Sequence, residues 1–334
     1  MSGNRVMVYD GPHHVHIEER DIPSPGVGEV QIRVVYAGIC GSDLHGYTGK
    51  SGRRVPGMVM GHEASGFVSG AGADVDPTLV GRQVTFNPVL YCDGGCGHVV
   101  ENHCAQLRVI GVDPTIQGAF ADYVVVPAHR VVALDGIDLR LGACIEPLAV
   151  AVQAVKRARV EDGHRVLIAG GGMIGQCLAL VAHMSGATSV VLSEANPQRR
   201  AFAETMGFKT VAPDEVAALP LSDVSFDAVG IDATAVATIG AVCKGGTVCF
   251  VGLGLPTINV PLFGIVVAER SVIGSFAYTD LAFDEARDMM ASGLIDLTGA
   301  VGADTDFERV GDAFEDLATS RRHDLKILMS TGDT

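Results

Sequence analysis

Val166-Leu-Ile-Ala-Gly170-Gly-Gly172-Met-Ile-Gly175 decides the fold of this chain. An apolar run that reads as a buried strand passes directly into G-x-G-x-x-G, and a helical pattern over 176–184 follows. Each glycine has a physical task in such a turn. Gly170 lets the chain reverse tightly and Gly172 lets the backbone approach a bound pyrophosphate. Gly175 lets helix and strand pack closely, and Met173 and Ile174 lie within the turn before the helix whose N-terminus faces the anion. The next apolar run, Ser189–Ser193, ends on Glu194, nineteen residues after Gly175. A carboxylate there accepts the hydroxyls of an adenosine ribose and repels a 2′-phosphate, which favours NAD over NADP. Arg199 stands five residues further on. A basic residue near this point serves NADP in some sites, or simply starts a helix facing the phosphates, and the sequence leaves both readings open.

Working outward, strand and helix patterns alternate from residue 165. Strand candidates fall at 165–169, 189–193, 209–212, 227–231, 247–251 and 272–276. Six strands at this pitch predict an α/β fold with a doubly wound parallel sheet. Upstream the character differs. The stretches 28–36 and 120–126 alternate apolar and polar residues, and Gly and Pro punctuate the loops between, so a β-rich domain is expected there. A helix is expected over 148–159, amphipathic helices over 283–293 and 310–319, and a short apolar strand over 325–329. The expected organisation is a nucleotide domain over 147–277 and a second domain assembled from 1–146 and 278–334.

At 334 residues the chain exceeds the usual range of a single core, and 48% hydrophobic residues exclude a largely disordered polymer. A net charge of −15 repels phosphate backbones and anionic lipid, so neither a nucleic-acid nor a membrane partner is expected. Apolar runs are too short to span a bilayer, and the first ten residues carry no apolar leader. The eight cysteines do not form a small-domain disulfide framework, so they read as metal ligands, a nucleophile or buried hydrophobes of a cytoplasmic protein.

Three pieces upstream of the glycine turn carry chemistry. Cys40-Gly-Ser42-Asp43-Leu-His45 lies in a Gly-flanked loop, Gly61-His62-Glu63 follows seventeen residues beyond His45, and Cys144-Ile-Glu146-Pro147 precedes the nucleotide domain. Thiolate, imidazole and carboxylate are the ligand types of a catalytic zinc with an open position, which polarises an alcohol. Singly, Cys40 reads as a buried hydrophobe, His62 as a satisfied core histidine and Glu146 as a helix N-terminal charge. Together, ahead of a nicotinamide-type fold, they point to a metal site. Asp43 either caps a helix or binds a substrate hydroxyl.

The order Cys40, Ser42, His45, His62, Glu63 and then the glycines, with Gly61-His-Glu-Ala-Ser-Gly66 and Gly81-Arg-Gln-Val84, resembles the zinc-dependent medium-chain dehydrogenases/reductases of the alcohol dehydrogenase superfamily. The likeness runs from Gly28-Glu-Val to Lys326-Ile-Leu. It implies a GroES-like β-barrel catalytic domain, completed by the C-terminal segment, beside a Rossmann domain. Cys40 and His62 match catalytic zinc ligands, and Glu63 matches a carboxylate that binds or steadies the ion. Glu146 stands where simple alcohol dehydrogenases have a second cysteine, and Glu-Pro-Leu there resembles the polyol, sugar and threonine dehydrogenase branch. Direct and water-mediated ligation by Glu146 both remain open. Ser42 and His45 match a proton relay, with an exposed loop histidine as the plain alternative for His45.

Where the family carries a four-cysteine structural lobe, C-x2-C-x2-C-x7-C, this chain departs. Cys96 and Cys104 keep their spacing, the second position falls on Asp93, the first on Leu90, and Cys92 is out of step by one. A second zinc held by Cys92 or Asp93 with Cys96, Cys104 and a neighbour such as His98 stands beside a metal-free lobe as the two options. The resemblance implies oxidation of a secondary alcohol of a polyol, sugar alcohol or (amino)cyclitol, with Zn2+ and NAD as cofactors. It also suggests a homo-oligomer, a tetramer or dimer. A threonine-type amino-alcohol dehydrogenase is the alternative within the class, and a non-catalytic NAD(H)-binding regulator the alternative outside it.

Overall fold

A computed structural model describes residues 3–302 and 304–332. The chain divides into two compact units, Met1–Glu146 with Phe283–Thr334, and Pro147–Ala282.

The first unit begins with a hairpin, β1 (Asn4–Gly11) against β2 (His14–Arg20). Its main sheet is antiparallel around β3 (Glu29–Gly38), which leads into the short helix α1 (Gly41–Tyr47) and pairs with β4 (Glu63–Ala71). The sheet continues through β5 (Gln83–Phe86), while β6 (Tyr123–Pro127) also pairs with β3, and β7 (Val131–Ala133) pairs with β5. The C-terminal strand Leu328–Ser330 pairs antiparallel with the end of β3. Alternation in β3 sends Val30, Ile32 and Val34 into a core with Phe86, Phe120 and Phe314. Burial of such side chains contributes roughly 1.5–3 kcal/mol each.

Helix α2 (Ile145–Arg157) starts at the end of the first unit and leads to the elements of the second: β8 (Arg165–Ala169), α3 (Met173–Met184), β9 (Ser189–Ser193), α4 (Pro197–Thr205), β10 (Lys209–Val211), β11 (Ser222–Asp227), α5 (Asp232–Ala241), β12 (Val242–Phe250), α6 (Leu262–Val267) and β13 (Ser271–Gly274). Among the described residues the six strands form one parallel sheet in the order β10-β9-β8-β11-β12-β13. That is the order of a doubly wound dinucleotide fold, with its switch point beside β8.

One strand lies earlier than expected. Residues 228–231 form a turn after β11 rather than a strand over 227–231. The buried Asp227 carboxylate accepts the N–H groups of Val229 and Gly230, both at 2.8 Å, and Gly230 adopts a φ of 78°. The chain is thereby turned away from the sheet before the predicted strand can extend. Among the described residues no helix is long and apolar enough to cross a membrane.

Candidate functional site: a Cys–His–Glu centre and a glycine turn

The metal-type site of the first unit is built by two local devices. Cys40 is the N-cap of α1: the Ser42 N–H points at its sulfur at 3.5 Å, and the Asp43 carboxylate reaches back to the Cys40 N–H at 3.3 Å. This reciprocal cap fixes the thiol at a helix N-terminus. Gly61 takes a φ of 104°, and a Cβ there would lie 2.8 Å from the Phe120 nitrogen, so glycine is required at the bend that brings in His62. Ligand atoms of Cys40, His62 and Glu63 then all lie within 4.8 Å of one another, with His62 and Glu63 buried. Glu146, in the first turn of α2, is not among those three, but its charge acts on His62.

Electrostatics suit a cation. Burial opposes a charged His62, yet Asp43, Cys40 and Glu146 outweigh it and raise its pKa to about 10. His62 Nδ1 is buried without a hydrogen bond and lies 3.6 Å from Asp43 Oδ1. With Nδ1 turned to Asp43, Nε2 is left for an ion, as in carboxylate–histidine–metal triads. Glu63 is fully buried and accepts from Lys326 Nζ. Burial disfavours the Lys326 charge, but Glu63, Cys40 and Cys144 overcome this and raise its pKa above the usual lysine value. Cys144 is different: it is not among the clustered ligand atoms, and burial pushes its thiol up to about 12. The donor set of thiolate, imidazole and carboxylate therefore fits zinc.

Ser42 and His45 sit three residues apart on α1, both half-buried. Burial, and then the charge of Lys50, lower the His45 pKa, so the ring is neutral at pH 7 and able to accept a proton. Asp43 is fully buried. It caps α1, and with no exposed surface it does not meet a substrate hydroxyl.

A second cluster joins Cys92, Cys96, His98 and Cys104, whose ligand atoms also lie within 4.8 Å of one another. Cys92–Cys96 is 3.5 Å, Cys96–Cys104 3.6 Å, Cys92–Cys104 3.6 Å and Cys96–His98 Nδ1 3.1 Å. Sulfurs on a tetrahedral zinc stand about 3.8 Å apart, given Zn–S bonds of about 2.3 Å. Asp93 is outside this group. It is exposed on a turn closed by Gly94 N–H to Cys92 O at 2.7 Å, and His98 takes the fourth place instead.

In the second unit Gly170 takes a φ of 100°, and a Cβ on Gly175 would fall 1.8 Å from the Gly170 carbonyl oxygen. Both positions therefore demand glycine. Gly172 is open, with Arg199 Nη1 the nearest atom at 3.9 Å from where its Cβ would be, so an anion can approach the N-terminus of α3. Met173 and Ile174 form the first turn of that helix. Glu194 closes the crevice, its two carboxylate oxygens accepting from Gly171 N–H at 2.6 Å and Asn196 N–H at 2.7 Å. Each oxygen retains a lone pair for a ribose hydroxyl.

Sequence reasoning missed Lys326 and Arg54 as parts of the site. A lone lysine in the apolar run 325–329 is a signal that a buried anion is near, since a buried cation needs a partner. Arg54 gives no such signal in its polar loop.

Comparison with known proteins agrees with this geometry. Residues 26–136 match the alcohol dehydrogenase GroES-like domain, and residues 173–292 the zinc-binding dehydrogenase family. The chain is 32% identical over 326 residues to 2-dehydro-3-deoxy-L-galactonate 5-dehydrogenase of Pseudoalteromonas atlantica, covering 92% of this chain and 94% of that one. It is 32% identical over 355 residues to sorbitol dehydrogenase of Gallus gallus, covering 99% and 97%. A solved structure from Sinorhizobium meliloti 1021, assigned as a zinc-binding dehydrogenase and bound to NADP, matches with a TM-score of 0.90 at 29% identity, covering 99% of this chain and 100% of that one. The chain belongs to the zinc-binding, medium-chain alcohol dehydrogenase family, in the company of polyol and sugar-acid dehydrogenases.

Proposed function

We propose that this protein oxidises a secondary hydroxyl of a polyol, sugar alcohol, (amino)cyclitol or related sugar acid to a ketone, reversibly, with NAD+. The observation that carries the reading is the convergence of Cys40, His62 and Glu63 in a buried, cation-favouring centre. These three hold the zinc, with Glu146 adjacent. When bound, zinc supplies Lewis-acid polarisation of the substrate hydroxyl and NAD+ supplies the hydride acceptor. The chain's own groups do the rest. Ser42 passes the hydroxyl proton to the neutral His45. The turn Gly170–Gly175 and the N-terminus of α3 hold the pyrophosphate, and Glu194 holds the ribose. The relative from S. meliloti was solved with NADP; the Glu194 carboxylate, which repels a 2′-phosphate, is the reason for assigning NAD+ to this chain.

Cys92, Cys96, His98 and Cys104 are assigned a second, structural zinc. A homo-oligomer is supported by β13, which among the described residues ends its sheet with one edge unpaired, and by exposed Leu262, Phe263, Val266 and Val267 on α6. The absence of a spanning helix among the described residues is compatible with a cytoplasmic enzyme.

The test is Cys40→Ser, measured for NADH formation over a panel of polyols and sugar acids and for NADH binding by fluorescence. Turnover is expected to vanish with binding nearly unchanged. A variant that keeps most of its rate rules the zinc mechanism out.

A further inference from the structure

Arg54 is a charged side chain where the first unit has no room for an unused one. It is 2% exposed and Asp43, its partner, 0%. Nη2 donates to Asp43 Oδ1 at 3.2 Å, while Nε is buried without a hydrogen-bond partner. The stem is wedged against α1: a Cβ on Gly46 would lie 2.4 Å from Arg54 Cγ. The glycine thus makes space for the arginine to cross the buried side of the helix. The same Asp43 oxygen that accepts from Arg54 faces His62 Nδ1 at 3.6 Å, and the other oxygen accepts from the Cys40 N–H at 3.3 Å.

We propose that Arg54 is a positioning residue of the metal centre: through Asp43 it fixes the orientation of His62 and the N-cap that carries Cys40. The inference rests on the zinc reading given above. A carboxylate between an imidazole and the backbone can rotate to favour either contact. A guanidinium clamped from a third direction removes that freedom and compensates the buried negative charge. One arginine therefore acts on two ligands that are far apart in sequence, and touches neither.

The measurement is zinc affinity, by competition with a chromophoric chelator, together with the absorption spectrum of the cobalt-substituted protein. Zinc in this centre is defined as the fraction lost in Cys40→Ser. Arg54→Met is expected to bind that zinc about 10- to 100-fold more weakly and to shift the cobalt bands, the size seen when outer partners of metal ligands are removed. Arg54→Lys, which keeps the cation, is expected to recover most of the affinity. Should Arg54→Met fold poorly, the double variant Arg54→Met/Asp43→Asn removes both charges together, and it too should bind zinc weakly. Wild-type affinity and an unchanged cobalt spectrum in either Met variant overturn the proposal while leaving the zinc reading intact. If Cys40→Ser loses no zinc, the zinc reading itself falls, and the role of Arg54 with it.

Discussion

The Glu194 carboxylate is bonded to the backbone N–H of Gly171 at 2.6 Å, so the acid that follows β9 is tied to the turn that begins α3. The hydrogen bond holds the negative charge beside the glycine turn, where a 2′-phosphate would meet it. Glu194→Ala should therefore raise kcat/KM for NADP+ relative to NAD+ by at least about 10-fold, or ~1.4 kcal/mol. Initial rates with both coenzymes check this, and an unaltered ratio would mean that discrimination lies elsewhere.

His45 should set the acid limb of the pH–rate profile. Burial and Lys50 lower its pKa below the ordinary value of 6.5, so it is a competent proton acceptor at neutral pH and loses that capacity as pH falls through its lowered pKa. In His45→Gln the limb should disappear and kcat fall by about 100-fold or more, the usual span of general-base effects being about 10²- to 10⁴-fold. A limb that survives the substitution belongs to another group.

Lys326→Met should destabilise the protein strongly. Its ammonium is the buried partner of Glu63, and removing one half of such a pair typically costs about 3–5 kcal/mol. Urea unfolding at pH 7 measures this directly. A loss under about 1 kcal/mol would show that Glu63 is balanced without the lysine.

Metal analysis should find two zinc ions per chain, falling to one in Cys104→Ser. The lobe should also release its ion in acid. A hydrogen bond from His98, followed by backbone N–H groups, lowers the Cys96 pKa to about 6. Zinc must displace the thiol protons, so the affinity of the lobe should weaken progressively as pH falls. Zinc titrated against pH in Cys40→Ser isolates this lobe; a single ion in the wild type contradicts the assignment.

The nucleotide unit was largely legible in the sequence because its signals are local. The steric demands at Gly170 and Gly175, and the acid at the end of the next strand, are met within thirty residues. The strand expected at 227–231 went wrong for an equally local reason, since Asp227 uses its side chain to fold the following amides into a turn. In the first unit the side chains that cluster, Cys40, His62 and Glu63, could be picked out by residue type and order. Their supporting charges could not, because Arg54 meets Asp43 and Lys326 meets Glu63 through packing that no periodicity encodes. The lobe lay between these cases: its cysteines were visible, but only the tight turn at Gly94 decides that Asp93 faces water and His98 faces the sulfurs.

Lys326 reaches Glu63 across 263 positions of the chain. Glu63 is therefore made long before the lysine that balances it. A chain interrupted shortly before Lys326 would keep Cys40, His62 and Glu63 but leave that carboxylate without its buried counter-charge.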